Sequence, residues 1–280
     1  MLKEPCNSDY FPCTCYISKE PDTYNKTHVT CDNVPVEDVQ DIFRRTNDSE
    51  IYSLEFIVPS YELVTIPEDL LGNTSAEVIW MHQNYYDDGP YTHMVIDHLA
   101  FRSSQDYTTE FSLKYWDLHL QADLDFLMGF NKLRALDFYE ISNLMALEYM
   151  PQLPSLESLS IIRCQNLSET GFPELSGTRL KVLHLDQNYA GDSVINNILT
   201  SLVGSTSADS LESFWSNSED LTMVPNQLPF FPQLYDVTLG TNSISHIPSS
   251  SFSFSSPVTY ISLIRNGIRT IEPGAFEGTV

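Results

Sequence analysis

Five cysteines are the most reactive side chains of this 280-residue chain, and their spacing limits the chemistry they can do. Four of them lie near the start, in the pattern Cys6-x6-Cys13-x-Cys15-x15-Cys31. Four thiolates can hold zinc, but this spacing lacks the paired C-x2-C turns that are typical of zinc sites. Two disulfides are the alternative, and the spacing alone leaves three connectivities open. The pattern favours disulfides and therefore an oxidising compartment.

The fifth cysteine, Cys164, lies in the stretch LESLSIIRCQNL at residues 156–167. It has no partner within the chain if the other four cysteines pair with each other. A reactive thiol, a metal ligand, an intermolecular bridge and a buried structural side chain are the four options. The residues around it decide between them.

Other groups that could do chemistry are scattered along the sequence. The chain has no G-x-S-x-G, no P-loop, no G-x-G-x-x-G and no H-E-x-x-H motif, and its seven histidines are dispersed. His93 and His98 are five residues apart, which is poor spacing for a helical metal site. The pair Asp87 and Asp88 lies in YYDDGPY, which favours a solvated turn over a weak calcium site. We therefore expect no enzyme activity, no metal and no cofactor.

A repeat of about 24 residues organises the rest of the chain. Nine segments contain apolar residues in the alternating form L-x-L, and their first apolar residues are Leu54, Ile79, Phe111, Leu136, Leu159, Leu183, Phe214, Val237 and Ile261. Six of the eight gaps are 23 to 25 residues, and the other two, of 32 and 31 residues, carry insertions. Alternation predicts a short strand with one face inward, and stacked copies bury what one copy cannot.

A polar or small residue follows each strand at a fixed distance. We call this set the ladder, and the sequence assigns to it Asn84, Cys164, Asn188, Asn242 and Asn266. These side chains are expected to turn inward and bond backbone groups of adjacent turns, which makes Cys164 structural. Pro59, Trp116, Ile141 and Glu219 fall at the same position, so we expect those turns to be shaped differently and Glu219 to face solvent.

The repeat resembles the extracellular leucine-rich-repeat family over nearly the whole chain. The resemblance implies a leucine-rich-repeat solenoid, or horseshoe, with a parallel β-sheet on the concave face and loops and short helices on the convex face. Residues 1–45, with FPCTC and HVTC, are similar to the family's cysteine-rich N-terminal cap, which implies the disulfides Cys6–Cys15 and Cys13–Cys31. Residues 46–280 would then hold about nine repeats.

The solvent-facing strand residues of such a sheet are the candidate binding surface. Aromatic side chains amid polar neighbours are typical of interaction hot spots. From this set the sequence predicts the binding residues Trp80, His82, Tyr139, His184, Asp186, Trp215 and Tyr260. The alternative is that these aromatic side chains only cover one another along the sheet. Glu55, Glu110, Asp137 and Asp236 make the same face acidic, with Lys114 as its single lysine.

Charge limits the partners. The chain has 38 acidic and 14 basic residues, a net charge of −24, so nucleic acid and anionic membranes are unlikely ligands. We expect a protein partner with a basic patch, and an affinity that falls with salt. The sequence has no apolar run long enough to span a membrane.

Secretion is predicted from the cysteines and from four N-glycosylation sequons at Asn25, Asn47, Asn73 and Asn166. The residues MLKEPCNSDYF have no apolar signal segment, so we expect a leader to precede this sequence. The chain ends at EGTV without a cysteine-rich C-terminal cap, so we expect it to continue further.

A narrower resemblance concerns three stretches, PCNSDYFPCTC, VEDVQDIFRRTNDSEIYSLEF and TIPEDLLGNTSAEVI. They look like secreted arthropod proteins similar to the non-catalytic subunit of oplophorus-luciferin 2-monooxygenase, which implies a non-enzymatic accessory protein. The sequence thus suggests a protein-binding module, with recognition of glycans or microbial surfaces, or membership of an oxidase complex, as alternatives.

Overall fold

A large, mostly parallel sheet dominates the computed structural model. The structure describes residues 3–6, 10–46, 50–58, 63–84, 93–118, 121–167, 175, 177–254 and 258–277. Its strands are β1 (Lys3–Pro5), β2 (Thr14–Ser18), β3 (Thr27–Asp32), β4 (Glu50–Val58), β5 (Val64–Ile66), β6 (Ser75–Gln83), β7 (Met94–Ile96), β8 (Glu110–Lys114), β9 (Ala135–Tyr139), β10 (Ser158–Ile162), β11 (Val182–Asp186), β12 (Ser213–Asn217), β13 (Asp236–Thr238), β14 (His246–Ile247), β15 (Tyr260–Ser262) and β16 (Thr270–Ile271).

Twelve of these strands form the main sheet. Their order is β1-β2-β3-β4-β6-β8-β9-β10-β11-β12-β13-β15, and every pair from β3 onward is parallel. The first apolar residues of the nine repeats pair with one another strand by strand, as Leu159 does with Leu136 and Leu183. The repeat period of the sequence therefore determines which residues pair between neighbouring strands of the sheet.

The return path between strands is built from short elements. It holds two α-helices, α1 (Val36–Arg45) and α2 (Gly191–Val203), and the short pairs β5–β7 and β14–β16. Its 3-10 helices are Pro21–Thr23, Arg102–Ser104, Gln121–Leu127, Met145–Tyr149, Thr206–Asp209 and Leu228–Phe230. α2 lies in the second long gap of the repeat and buries Ile195 and Leu199. The predicted solenoid, with a parallel sheet and short convex elements, is confirmed.

One continuous core runs between the sheet and the return path, from Tyr10 to Ala275. Inward strand residues such as Leu136, Leu159 and Leu183 are fully buried. Phe101, from the first long gap, and Phe111, Phe126 and Phe130, from the repeat that follows, form one cluster with ring-centroid distances of 5.1 to 6.1 Å. All four rings are buried in the core beside β8.

The N-terminal cap is held by two disulfides, Cys6–Cys15 and Cys13–Cys31. The antiparallel pair β2–β3 carries two of these cysteines, Cys15 and Cys31, and β3 then pairs in parallel with β4, so the hairpin continues into the repeat sheet. Val39, Ile42 and Phe43 of α1 are buried against the same end of the core. The pairing implied by the family resemblance is the one present, and all four thiols of the zinc alternative are consumed.

The turns after the strands from β8 onward share one conformational feature. The residue before each ladder position from 116 onward has a positive φ, at Tyr115, Glu140, Arg163, Gln187, Ser218, Thr241 and Arg265. Except at Arg265, the backbone N–H of this residue donates to a carbonyl of the next repeat, as Tyr115 does to Tyr139 at 3.0 Å and Ser218 to Gly240 at 3.1 Å. The turns before Trp116, Ile141 and Glu219 therefore match the others, and our expectation of different shapes is wrong for them. Backbone hydrogen bonds set the turn, while the ladder side chain fills it. Pro59 lies outside the described residues.

Ladder side chains reach back to the preceding strand. Five of them donate to the carbonyl group of its last inward residue, namely Trp116 Nε1 to Met81 (3.3 Å), Cys164 Sγ to Phe138 (3.6 Å), Asn188 Nδ2 to Ile161 (2.8 Å), Asn242 Nδ2 to Ser216 (2.8 Å) and Asn266 Nδ2 to Leu239 (2.8 Å). An indole N–H and a thiol thus replace the amide. The Asn84 Nδ2 donates instead to the Asn33 side chain in the cap, at 3.4 Å.

Cys164 is buried, and burial raises the pKa of its thiol to about 12. Its backbone N–H donates to Asn188 Oδ1 at 2.8 Å. A thiol that stays protonated and out of solvent is unreactive, because the thiolate is the nucleophile. The geometry supports a structural role for this cysteine.

Glu219 does not face solvent, and this expectation is wrong. The side chain is fully buried, and its carboxylate accepts the backbone N–H of Asn188 (3.0 Å), the Asn188 Nδ2 (2.9 Å) and the backbone N–H of Ala190 (3.1 Å). Burial raises the pKa of this carboxyl to about 7, although the three donors lower it in part. Three N–H donors converging on one carboxylate make its burial tolerable and tie its repeat to the start of α2.

We expect Leu183→Ala to lower the free energy of unfolding by about 2–5 kcal/mol, because it leaves a cavity under the centre of the sheet. Leu63→Ala is the matched control, since Leu63 is 62% exposed, and should change it by less than about 0.5 kcal/mol. Denaturant unfolding followed by circular dichroism measures both, and equal effects would contradict the register described above.

We expect Glu219 to make the protein less stable as the pH rises. Its pKa is 4.5 ordinarily and about 7 in the fold, so the folded state alone holds this proton between those values. The stabilisation is present below pH 4.5 and is lost as the pH rises to 7, by up to about 3 kcal/mol. Comparing Glu219→Gln with the wild type at pH 5 and pH 8 isolates this contribution, and the variant should gain relative stability at pH 8. Glu37→Gln, on the exposed side of α1, is the control, and a pH-independent difference for Glu219→Gln would refute the linkage.

Candidate functional site

The solvent-facing side of the main sheet is the candidate site. We call it the concave face and define it by the first, third and fifth positions of the paired segments, as in Val182, His184 and Asp186 of β11. The predicted residues lie on five strands of this face: Trp80 and His82 on β6, Tyr139 on β9, His184 and Asp186 on β11, Trp215 on β12 and Tyr260 on β15. All are half-buried except Tyr260, which is 56% exposed.

The two tryptophans are far apart on the face. Trp80 and Trp215 lie on β6 and β12, and β8, β9, β10 and β11 separate them. They therefore do not cover one another, which removes the simplest form of the alternative interpretation. Trp116, the third tryptophan, is fully buried in the core.

A carboxylate on the following strand holds each concave indole. Trp80 Nε1 donates to Glu110 Oε1 at 3.0 Å, and Trp215 Nε1 donates to Asp236 Oδ2 at 3.0 Å. The ring of His184 packs edge-on against Trp215 with centroids 4.9 Å apart. These pairings escape sequence reasoning until the strands are aligned, because partners 30 and 21 residues apart become diagonal neighbours only in the register of the sheet.

Histidine and carboxylate side chains pair on the same face. His82 Nε2 lies 3.1 Å from Glu55 Oε1, and His184 Nε2 lies 3.6 Å from Asp186 Oδ2. The hydrogen bond from His82 lowers the pKa of Glu55, so this carboxyl is ionised at neutral pH. Burial raises the pKa of Asp137 at the middle of the face. The face thus combines aromatic surface with negative charge.

Arg163 joins three repeats at one edge of the face. Its guanidinium donates to Tyr139 Oη (3.0 Å), Glu140 Oε1 (2.7 Å) and Gln187 Oε1 (3.0 Å). Tyr139 is therefore engaged by its own chain, and a cavity of about 380 Å³ opens beside this cluster. Arg163 is not among the residues predicted from the sequence, where its only signal is a basic side chain just before a ladder position, a feature that Arg265 shares.

Three of the four predicted glycosylation sites lie among the described residues, and all three are on the surface. Asn25, Asn73 and Asn166 are exposed, and Asn47 lies outside the described residues, as do Asp87 and Asp88. Within the described part of the chain, no group of three or more His, Cys, Asp or Glu side chains could hold a metal ion. The helices described there are all too short or too polar to cross a membrane.

Comparison with known proteins agrees with this architecture. Residues 232–280 match the family model described as leucine rich repeat, and no curated protein matches the sequence. The fold is similar to a chain of the Drosophila Toll–Spatzle complex, with 13% identity, a TM-score of 0.55 and coverage of 97% of this chain. The chain spans only 38% of the length of that protein.

Two internalins from Listeria monocytogenes are also similar. One is 17% identical with a TM-score of 0.41, over 85% of this chain and 84% of the internalin. The other is 14% identical with a TM-score of 0.45, over 88% and 66%. Both scores are below 0.5, so the assignment rests on the first structure, on the repeat match and on the sheet itself. These three findings together identify this chain as a leucine-rich-repeat solenoid whose N-terminal end is closed by a disulfide-bonded cap.

Proposed function

We propose that this chain is a secreted, non-enzymatic binding module that recognises a protein through its concave face. One observation carries the proposal: the two half-buried tryptophans of that face are each fixed in place by a carboxylate. A side chain that is ordered before binding loses little conformational entropy when a partner covers it, which is how hot-spot aromatics contribute affinity.

Charge indicates the kind of partner. Glu55, Glu110, Asp137, Asp186 and Asp236 lie on the face, and Lys114 is the lysine among them. A basic patch on a protein would meet this surface with attraction over its whole area and would be steered towards it. The solenoid fold itself is widely used for protein–protein interaction, and the Drosophila structure with which it shares its fold is described as a Toll–Spatzle complex.

The narrower identity rests on sequence resemblance alone. Three N-terminal stretches resemble secreted arthropod proteins similar to the non-catalytic subunit of a luciferase. This resemblance supports an accessory role, in which the module binds a small catalytic subunit and has no activity by itself. It adds a specific expectation to the binding experiment: recovery of such a subunit in a one-to-one ratio.

We expect this chain, with native disulfides, to capture one stoichiometric protein from secreted material of its source. The double variant Trp80→Ala/Trp215→Ala should lose that protein, because it removes the ordered aromatic surface of the face. Phe230→Ala is the matched control, since Phe230 is 63% exposed on the return path. Affinity of the captured protein should fall between 50 and 500 mM salt, by roughly tenfold or more.

The outcomes separate the alternatives. Equal recovery by the wild type and the double variant would exclude the concave tryptophans. Binding that is insensitive to salt would exclude the acidic face. Recovery of glycan or cell-wall material in place of a protein would favour recognition of microbial surfaces.

Secretion and glycosylation are the second part of the proposal. Two disulfides and exposed sequon asparagines at Asn25, Asn73 and Asn166 support passage through an oxidising secretory pathway. Expressed with a secretion signal in insect cells, the protein should lose mass on treatment with an N-glycosidase, and Asn73→Gln should reduce that loss. Unchanged mass after treatment would contradict glycosylation.

A further inference from the structure

The settings of Trp80 and Trp215 are two copies of one arrangement. Each tryptophan occupies the central position of its strand on the concave face, and its indole N–H reaches diagonally to the following strand. Glu110 pairs with Val78 and Asp236 pairs with Ser213, so the two acceptors hold the same register position. The duplication is geometric, because the surrounding sequences differ.

Each tryptophan also has a carboxylate on the preceding strand. Glu55 pairs directly with Trp80 across β4 and β6. Asp186 lies on β11, whose central residue His184 pairs with Trp215. We call Glu55, Trp80, His82 and Glu110 the first subsite, and His184, Asp186, Trp215 and Asp236 the second subsite. Glu55 pairs directly with its tryptophan in the first subsite, and His184 does so in the second, but each subsite combines one indole, two carboxylates and one histidine on three neighbouring strands.

This arrangement suits an organic cation. The face of an indole attracts a guanidinium or ammonium group, and flanking carboxylates accept its N–H donors. In the second subsite, Asp186 Oδ1 and Asp236 Oδ1 are buried without a hydrogen-bond partner among the described residues, so the fold leaves negative charge here that a neighbouring cation would offset. A metal ion is the poorer occupant, because no cluster of three potential ligands exists in the described chain.

The surface between the subsites is low and polar. The central positions of β8, β9 and β10 are Ser112, Asp137 and Ser160. Ser112 is 2% exposed, and its hydroxyl has no hydrogen-bond partner among the described residues. Small side chains here leave room for a chain to lie across the strands, while Asp137 keeps the path acidic.

The spacing of the subsites follows from the sheet. Five steps separate β6 from β12, and strands lie about 4.8 Å apart, so the tryptophans are about 24 Å apart along the sheet. An extended peptide covers about 3.3 Å per residue and its side chains alternate between two faces, so residues i and i+8, about 26 Å apart, lie on one face and span that distance.

We propose that one basic protein segment occupies both subsites at once, crossing the strands with two arginine or lysine side chains about eight residues apart, on the same face of the segment. This proposal rests on the proposed function, since it names the chemistry of the partner at the same face. Linking two weak contacts in one segment gives an affinity that neither subsite reaches alone.

Synthetic peptides test the spacing with the full chain and native disulfides. One extended peptide carries arginines at positions i and i+8, a second of equal length and charge carries them at i and i+4, and a third has citrulline in place of both arginines of the first. By titration calorimetry at low salt, the i, i+8 peptide should bind about tenfold more tightly than the i, i+4 peptide. The citrulline peptide should bind weakest, because it has lost its charge.

Two isosteric variants test the subsites. Glu110→Gln and Asp236→Asn remove one charge each but keep an oxygen that accepts the indole N–H, so the tryptophans stay in place. Each should remove the advantage of the i, i+8 spacing, and Glu37→Gln on α1 should retain it. An unchanged near-ultraviolet spectrum shows that the variants keep the ring environment.

Equal affinity for the two spacings would overturn the proposal, and so would failure of the i, i+8 peptide to bind at about 1 mM. Retention of the spacing advantage by both isosteric variants would also overturn it. In any of these cases, capture of a natural partner that depends on Trp80 and Trp215 would leave the proposed function standing. If the peptides behave as expected and no natural partner is captured, the proposed function fails while the subsites remain.

Discussion

The structure depends on satisfying backbone groups where each strand ends inside the stack. There the carbonyl of the last inward residue points into a region that water does not reach, and an unsatisfied carbonyl would destabilise the fold. Side chains of the following repeat supply the missing donor, as Asn188 does for Ile161 and Asn242 does for Ser216. Because each donor serves the preceding repeat, neighbouring repeats stabilise one another in pairs. A cap is needed at the start, where β3 and two disulfides take the place of a preceding repeat.

The same constraint explains why the concave face can vary. Hydrogen bonds and apolar packing fix each strand from its inward side, so its outward residues are free to serve recognition. Trp80 and Trp215 use that freedom in the same way, and their carboxylate partners come from the next strand. The order of each tryptophan depends on a pair of repeats, since an indole without the following carboxylate would keep its rotational freedom.

Much of this architecture could be predicted from residues alone. Nine apolar positions repeat at one period, and each period adds one strand in register, so Leu159 and Leu183 reveal both the fold and the pairing. The alternation of apolar residues along each strand shows which of its side chains face the core and which face solvent. Predictions failed where the environment of a side chain depends on other repeats. The sequence places Glu219 at the surface because nothing in its own repeat reveals the three N–H donors that Asn188 and Ala190 supply. Arg163 escaped notice for the same reason, since its three acceptors come from the turns of other repeats.

The stack of parallel strands also makes distance adjustable in fixed steps. Every repeat between β6 and β12 adds one strand, and therefore about 4.8 Å, to the separation of the two tryptophans. Duplication or loss of a whole repeat in that interval would preserve each indole–carboxylate pair and change only the length between them. In a protein built in this way, the number of repeats between two such pairs sets the distance that a ligand would have to span, while the side chains of each pair stay the same.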